Sequence, residues 1–383
     1  MKRILFLLFL LPAASCSLID PDERMVPDKI EDRNLQRLAR MFAELPMDDG
    51  HLREVYDAVE ASSGSGYDEE YTMERLLKEP GSGVGTQSVR VQTKASREYG
   101  NPLRNLIREY YEAHPVTKAS VEDMIEQLAS SDYQLYWPYS EDWDGETFPI
   151  ITFDPGYGAE SNYGYAVSYL EDGTRQIDSV YVDESVAMQR PVWVLNSNRD
   201  SGFSPVDLFS TVFPSRGAST RVETASRQRV LKMKGFKMLR NYDSWFGGAS
   251  EFWVKCGSVE GFSASTEAEL KLYSPSVTDF MIVVKRKYLN KELPFDVILV
   301  SDFSQQLDKV AFLVTEDDGG TRTSWKCQAA VKIQGKSYGI DLDLPFNEKD
   351  DIVWRGQLSA RYFEREDIVT GQFGDVRITF ELD

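Results

Sequence analysis

Histidine is nearly missing from this chain: His51 and His114 are the only two in 383 residues. That excludes three-histidine zinc coordination. No HExxH occurs either, and a Ser-His-Asp triad would have to recruit one of these two without a GxSxG turn to present its serine. Cysteine is almost as scarce. Cys16, Cys256 and Cys327 stand alone, and no CxxC pair offers a zinc knuckle or a dithiol redox site. Basic charge is short as well, with 43 Lys and Arg against 62 Asp and Glu and a net charge of −19. Such a chain is repelled by phosphate backbones, so nucleic acid is not an expected partner. No run of eighteen apolar residues exists to cross a membrane as a helix.

The apolar run that does exist is short and lies near residue 1. Lys2 and Arg3 precede Ile4 to Leu11, and Ala13-Ala14-Ser15-Cys16 follows with small residues. This three-part form is that of an export signal over residues 1–15. Cys16 in that position resembles the lipobox of bacterial lipoproteins, with Ala13 where that family prefers Leu. The resemblance implies that Cys16 is diacylated and becomes the mature N-terminus. The chain is then lipid-anchored at the outer membrane, surface-exposed or facing the periplasm. Ordinary cleavage leaving a soluble protein is the alternative. Residues 1–15 carry Lys2 and Arg3 and no acid, so the remainder has a formal charge of −21. Residues 16–27 read as a polar tether. Its Asp20, Asp22 and Glu23 are similar to the acidic signal of surface-displayed lipoproteins in some Gram-negative bacteria.

Beyond the tether the hydrophobic period predicts an α+β multidomain protein. Residues 28–130 read as a helical module, with Leu35, Leu38, Met41, Phe42 and Leu45 on one face and Leu52, Val55, Tyr56 and Val59 on another. Asn101-Pro102 opens a further helix, and Ser120 with Asp123 forms a capping box ahead of Ile125 and Leu128. The glycines at 81, 83 and 85 lack the Lys and Ser/Thr of a phosphate loop and read as a linker. Residues 131–215 turn to strand-like runs, from Tyr133–Trp137 to Val192–Leu195. Residues 216–248 form a basic connecting segment, in which the alternation of Leu231 and Met233 with Lys232 and Lys234 fits a half-buried strand docked onto acidic parts of the chain. Residues 249–383 hold short runs, including Phe252–Cys256, Ala268–Tyr273 and Val376–Leu382, that predict an antiparallel β-sandwich. The whole plan, with Asp243-Ser-Trp-Phe-Gly-Gly-Ala-Ser-Glu251 leading into the sandwich, resembles uncharacterised secreted bacterial lipoproteins with a C2-like terminal sandwich.

The candidate chemistry follows from these placements. Cys256 and Cys327 form a disulfide candidate in an exported protein, a bond that would stabilise by ~4 kcal/mol in the chain-entropy model. Two buried thiols are the equal alternative. Asp317 and Asp318 with Asp350 and Asp351 offer hard oxygen ligands for calcium if the two turns converge at one end of the sandwich, calcium being the one cofactor the sequence suggests. Ser140-x-Asp142-x-Asp144-Gly145 begins like an EF-hand loop but has Ile151 where the bidentate Glu belongs. Trp137, Tyr139 and Trp143 are candidates for stacking on a ligand. The expected function is non-catalytic binding or assembly at the cell envelope, with a glycan or a protein as ligand. A carboxylate-dependent glycan hydrolase and a calcium-dependent adhesion module are the alternatives.

Overall fold

The computed structural model describes residues 30–77, 102–115, 119–170, 172–197 and 229–383. Cys16, the tether, the glycine linker near residue 83 and the basic residues Arg216, Arg221 and Arg227 lie outside the described residues. The architecture is α+β: helices and a mixed sheet come first, and antiparallel sheets follow.

The first unit joins two segments that the sequence separates. Helices α1 (Ile30–Glu44) and α2 (Asp49–Gly64) are followed by strand β1 (Glu70–Thr72) and a short α3 (Met73–Leu77). Then come α4 (Pro102–Ala113) and α5 (Val121–Ala129). Strands β2 (Tyr133–Tyr136), β3 (Ile150–Phe153), β4 (Ser161–Tyr169), β5 (Arg175–Asp183) and β6 (Val192–Ser197) complete a six-stranded sheet in the order β1-β2-β6-β3-β4-β5. The β3–β6 pair is parallel and the other pairs are antiparallel. Helices and middle strands therefore share one core rather than forming two modules. Leu35, Leu38 and Phe42 of α1 pack with Leu135, Ile151, Phe153, Trp193 and Leu195 from the sheet.

Local chemistry sets the helix starts. Asp48 accepts from the amides of Gly50 and His51, and the His51 ring closes back on Asp48, so His51 acts as a first-turn capping residue. Ser120 and Asp123 form the reciprocal box at α5. Helix α4 begins at Pro102, and the next amide, Leu103 N, donates 2.8 Å to Glu54 Oε2 of α2. Glu54 is fully buried, and its other oxygen accepts from Tyr71 Oη at 3.0 Å. One carboxylate thus ties α2, β1 and the start of α4 together.

Run 192–195 is continuously apolar because the sheet is covered on both sides. Trp193 and Leu195 face the helices, while Val192 and Val194 join Tyr136, Ile150 and Val182 on the opposite face. That second face is closed by Trp245 and Phe246, from the loop leading into the C-terminal unit.

The C-terminal unit is a β-sandwich. Strand β7 (Leu231–Met238) sits in a four-stranded sheet with β10 (Leu293–Val300), β15 (Ile368–Phe373) and β16 (Val376–Leu382), in the order β10-β7-β16-β15. The facing sheet runs β13 (Lys336–Asn347), β12 (Arg322–Ile333), β11 (Leu307–Glu316), β8 (Ser250–Ser258), β9 (Ser276–Val284), and β14 (Asp351–Ser359) pairs with β11. Their inner faces meet in a single core, where Met233, Phe236, Ile378 and Phe380 oppose Phe252, Val254, Phe312 and Val314. A register shift opposite Thr379 and Phe380 changes the parity of β7, so Leu231, Met233, Phe236 and Met238 all point inward.

The basic connecting segment therefore contributes a strand of the sandwich, and several of its described charges are paired within the chain. Lys232 meets Asp383 at 2.9 Å, Lys234 meets Asp296 at 2.9 Å, and Arg229 meets Glu364 at 2.9 Å. One expected strand is absent: residues 267–272 form a 3-10 helix with no buried side chain. Glu269 accepts from Ser265 N and Thr266 Oγ1, which starts a helical turn and overrides the two-residue alternation of apolar side chains. A short helix α6 (Glu184–Ala187) precedes β6 and another, α7 (Ala360–Phe363), follows β14.

Opposite charge joins the two units. Arg286 forks onto Glu184 at 2.7 and 3.1 Å, Lys285 lies 3.7 Å from Glu69, and Lys287 pairs with Glu69 and Glu141. Asn196 Nδ2 donates to the carbonyls of Phe246 and Gly247, and Trp245 Nε1 to that of Glu160. Asp68 Oδ2 accepts from Ala249 N at 3.0 Å. Gly248 makes that approach feasible: at φ +122°, a Cβ there would stand 2.6 Å from Asp68 Oδ2.

Candidate functional site

Among the described residues, two places stand out as able to do chemistry or recognition. The first is a cleft of about 870 Å³ between α1, α4, α5, the start of β2 and the middle of β4. Tyr110, Tyr111, Tyr133 and Tyr165 line it beside Asn34, Arg37 and Gln127. Its size suits a small molecule of a few rings. The rings are held in fixed poses. Tyr110 stacks on His114 with centroids 4.3 Å apart, and Arg40 lies 5.5 Å over the Tyr165 ring. Glu44 is committed within the wall, with Oε1 accepting from Arg40 Nε at 2.8 Å and Oε2 from Tyr110 Oη at 3.0 Å. Burial, together with that carboxylate, pushes the Tyr110 phenol up to about 12. His114 sits at the end of α4, its Nδ1 2.9 Å from the Tyr110 carbonyl in the last turn.

The second place is an acidic cluster where the sandwich meets the loop carrying Trp245. Asp243, Glu251 and Glu316 each bring a carboxylate oxygen within 4.8 Å of the others. Glu316 closes β11 opposite Phe252 of β8 and Asp351 of β14, and its side chain is fully buried. Neither of its oxygens finds a hydrogen-bond donor among the described residues, and the same holds for Asp243 Oδ2. Burial, reinforced by Asp243, Asp318 and Asp351, pushes the Glu316 carboxyl up to about 11, and burial holds Asp243 near 6.

The four aspartates expected to bind calcium do converge beside this cluster. Asp317 and Asp350, however, are occupied as turn builders. Asp317 accepts from Trp253 Nε1, Gly319 N and Asn347 Nδ2, while Asp350 Oδ2 accepts from Asn347 N at 2.8 Å. Asp318 and Asp351 act on each other electrostatically, which with burial raises the Asp318 carboxyl. Unsatisfied oxygens remain on Asp350, at Oδ1, but also on both branches of Glu316, one residue before the Asp317-Asp318 pair, and on Asp243. Sequence reasoning missed the last two, although Asp243 and Glu251 bound the very segment that leads into the sandwich, and that spacing was the available signal.

The expected stacking residues face inward. Trp137 is 1% exposed and packs edge-on against Tyr56, Trp143 and Trp193. Trp143 lies under the Arg53 guanidinium and donates to the Thr147 carbonyl. Tyr139 donates to Glu184 at 2.8 Å, against the Trp245 plug. Their aromatic faces serve the core because the sheet is covered on both sides. The tyrosines of the cleft come instead from α4, β2 and β4, elements that no local pattern in the sequence brings together. In the EF-hand-like segment, Asp144 accepts from the Thr147 hydroxyl and from the Thr147 and Glu146 amides as a turn residue, which holds it down near 2.

Cys256 and Cys327 are free thiols in this structure. Cys256, in β8, is fully buried in the sandwich core, and Cys327, in β12, is partly covered by the same core. Burial lifts their thiols to about 12 and about 11, so both behave as small apolar residues. Among the described residues no helix is long and apolar enough to cross a membrane. No family model, curated protein or solved structure matches this chain.

Proposed function

We propose that this chain is a lipid-anchored lipoprotein of the bacterial outer membrane that binds a neutral oligosaccharide in the tyrosine-lined cleft, without catalysis. The anchor rests on the signal form of residues 1–15 ahead of Cys16. The binding role rests on one observation, the cleft of about 870 Å³ that combines four tyrosines with amide and guanidinium donors. Sugar rings present apolar faces that stack on aromatic rings and hydroxyls that pair with such donors. Binding is favoured over hydrolysis because a glycosidase needs two available carboxyl groups across the bond. In the cleft wall, both oxygens of Glu44 are already taken by Arg40 and Tyr110.

Titration calorimetry of the purified protein against an oligosaccharide panel tests the binding reading. At least one neutral glycan should bind, and Tyr133→Ala or Gln127→Ala should weaken it tenfold or more. No binding across the panel, or binding that both variants leave intact, would overturn it. The anchor is tested separately: Cys16→Ala should leave unprocessed precursor or release the protein from membranes. A variant that stays membrane-bound and normally processed would refute lipidation.

A further inference from the structure

We propose that Asp243, Glu251 and Glu316 bind a hard divalent cation, calcium or magnesium, which fastens the loop carrying Trp245 to the end of the sandwich. The oxygens of the three residues lie within 4.8 Å of one another, a span one ion bridges at about 2.4 Å per bond. Clustered acids on a surface would mean little. Here, however, Glu316 is 0% exposed and neither of its oxygens has a donor among the described residues. Without an ion its carboxyl meets another acid, Asp243, and the pair must hold a proton between them; a cation that displaces this proton supplies both the balancing charge and the missing bonds. The nearby base does not fill that role. Arg286 Nη1 donates to the Asp243 carbonyl at 2.9 Å, and the rest of its fork clamps Glu184. Asp318 and Asp351 add negative potential around Glu316 and would draw a cation inward.

The position gives the ion a task. Glu251 belongs to β8 and Glu316 to β11, which pair with each other, so two ligands are fixed on the sandwich. Asp243 stands two residues before Trp245, whose ring is buried against the first sheet. An ion held by all three would fix the approach of that loop, and through it the docking of the helical unit on the sandwich. The task is structural and independent of what the tyrosine cleft binds.

The test uses the full-length protein stripped with chelator and titrated with calcium chloride or magnesium chloride. Binding is read by calorimetry, and stability by the melting temperature. At a hundredfold excess over the dissociation constant, either ion should raise the melting temperature by a few degrees. Hydrogen exchange of the amides from 243 to 249 should slow in parallel. Glu316→Gln should abolish the rise while melting close to the ion-free parent, because the amide replaces an acid that already holds its proton when no ion is bound. Glu251→Gln provides the second variant, in a half-exposed position where folding is not at issue. No response to either ion at millimolar concentration would overturn the proposal, as would a rise that survives in both variants. A rise lost only in Asp317→Asn with Asp350→Asn would also overturn it, by moving the ion to the turn aspartates.

Discussion

Removing the Trp245 side chain should separate the two halves of the molecule. The ring is fully buried in the small cluster formed with Phe246 and the outer face of the first sheet, and its Nε1 donates to the Glu160 carbonyl. A buried indole removes roughly 200 Å² from water, worth about 5 kcal/mol at ~25 cal/mol per Å². Measured truncations of buried aromatics cost about 3–5 kcal/mol, and the lost hydrogen bond adds to that. The sandwich core contains neither Trp245 nor the residues it touches, so the loss falls on the junction and on the first sheet. Calorimetry of Trp245→Ala should therefore show an early transition for the helical unit, shifted by about 3–5 kcal/mol, with the sandwich transition nearly in place. Limited proteolysis should cut the variant near residue 245 faster than the parent. A single transition within about 1 kcal/mol of the parent would refute the view that this plug couples the units.

Two further outcomes follow from buried ionisable groups. Burial, and to a lesser extent Asp68, raises Glu69 from 4.5 to about 8 despite Lys285 and Lys287. The folded protein then keeps a proton that the unfolded chain releases, so the contribution of Glu69 to stability is complete below about 4.5 and is lost as pH rises towards 8. Urea unfolding at pH 5, 6.5 and 8 should show that fall, at most about 1.4 kcal/mol per pH unit, and Glu69→Gln should flatten it; equal slopes in both proteins would contradict the assignment. Cys256, fully buried with its thiol near 12, should resist thiol reagents until the protein is denatured, and rapid native labelling would show that the core around β8 is open.

The sequence disclosed what depends on local periodicity and little of what depends on convergence. Strand β16 alternates Val376, Ile378 and Phe380 with Arg377, Thr379 and Glu381, and that pattern alone assigns its inner face. The capping box at Ser120 was equally legible, since it spans only three residues. Strand β15 was not, being short and carrying Gly371 in its interior. The union of helices and middle strands escaped notice because β1 is three residues long and pairs with β2 more than sixty positions later. At the acidic cluster, four of the aspartates were visible as doublets. Glu316 became distinctive only once β11 placed it between β8 and β14, where it is fully buried and no donor among the described residues reaches it.

The strand order of the four-stranded sheet bears on how the molecule acquires its shape. Leu231–Met238 must find Val376–Leu382, and every strand of the facing sheet is made between them. The neighbouring hairpins, such as β12 with β13, close over a handful of residues and form early. Strand β7 consequently waits, with Phe236 and Met238 unshielded, until its distant partner arrives. This topology lengthens the time for which that strand is exposed, compared with the hairpins around it. It also makes the waiting strand the natural client of a holding chaperone, and the place where crowded, half-finished chains would first stick to one another.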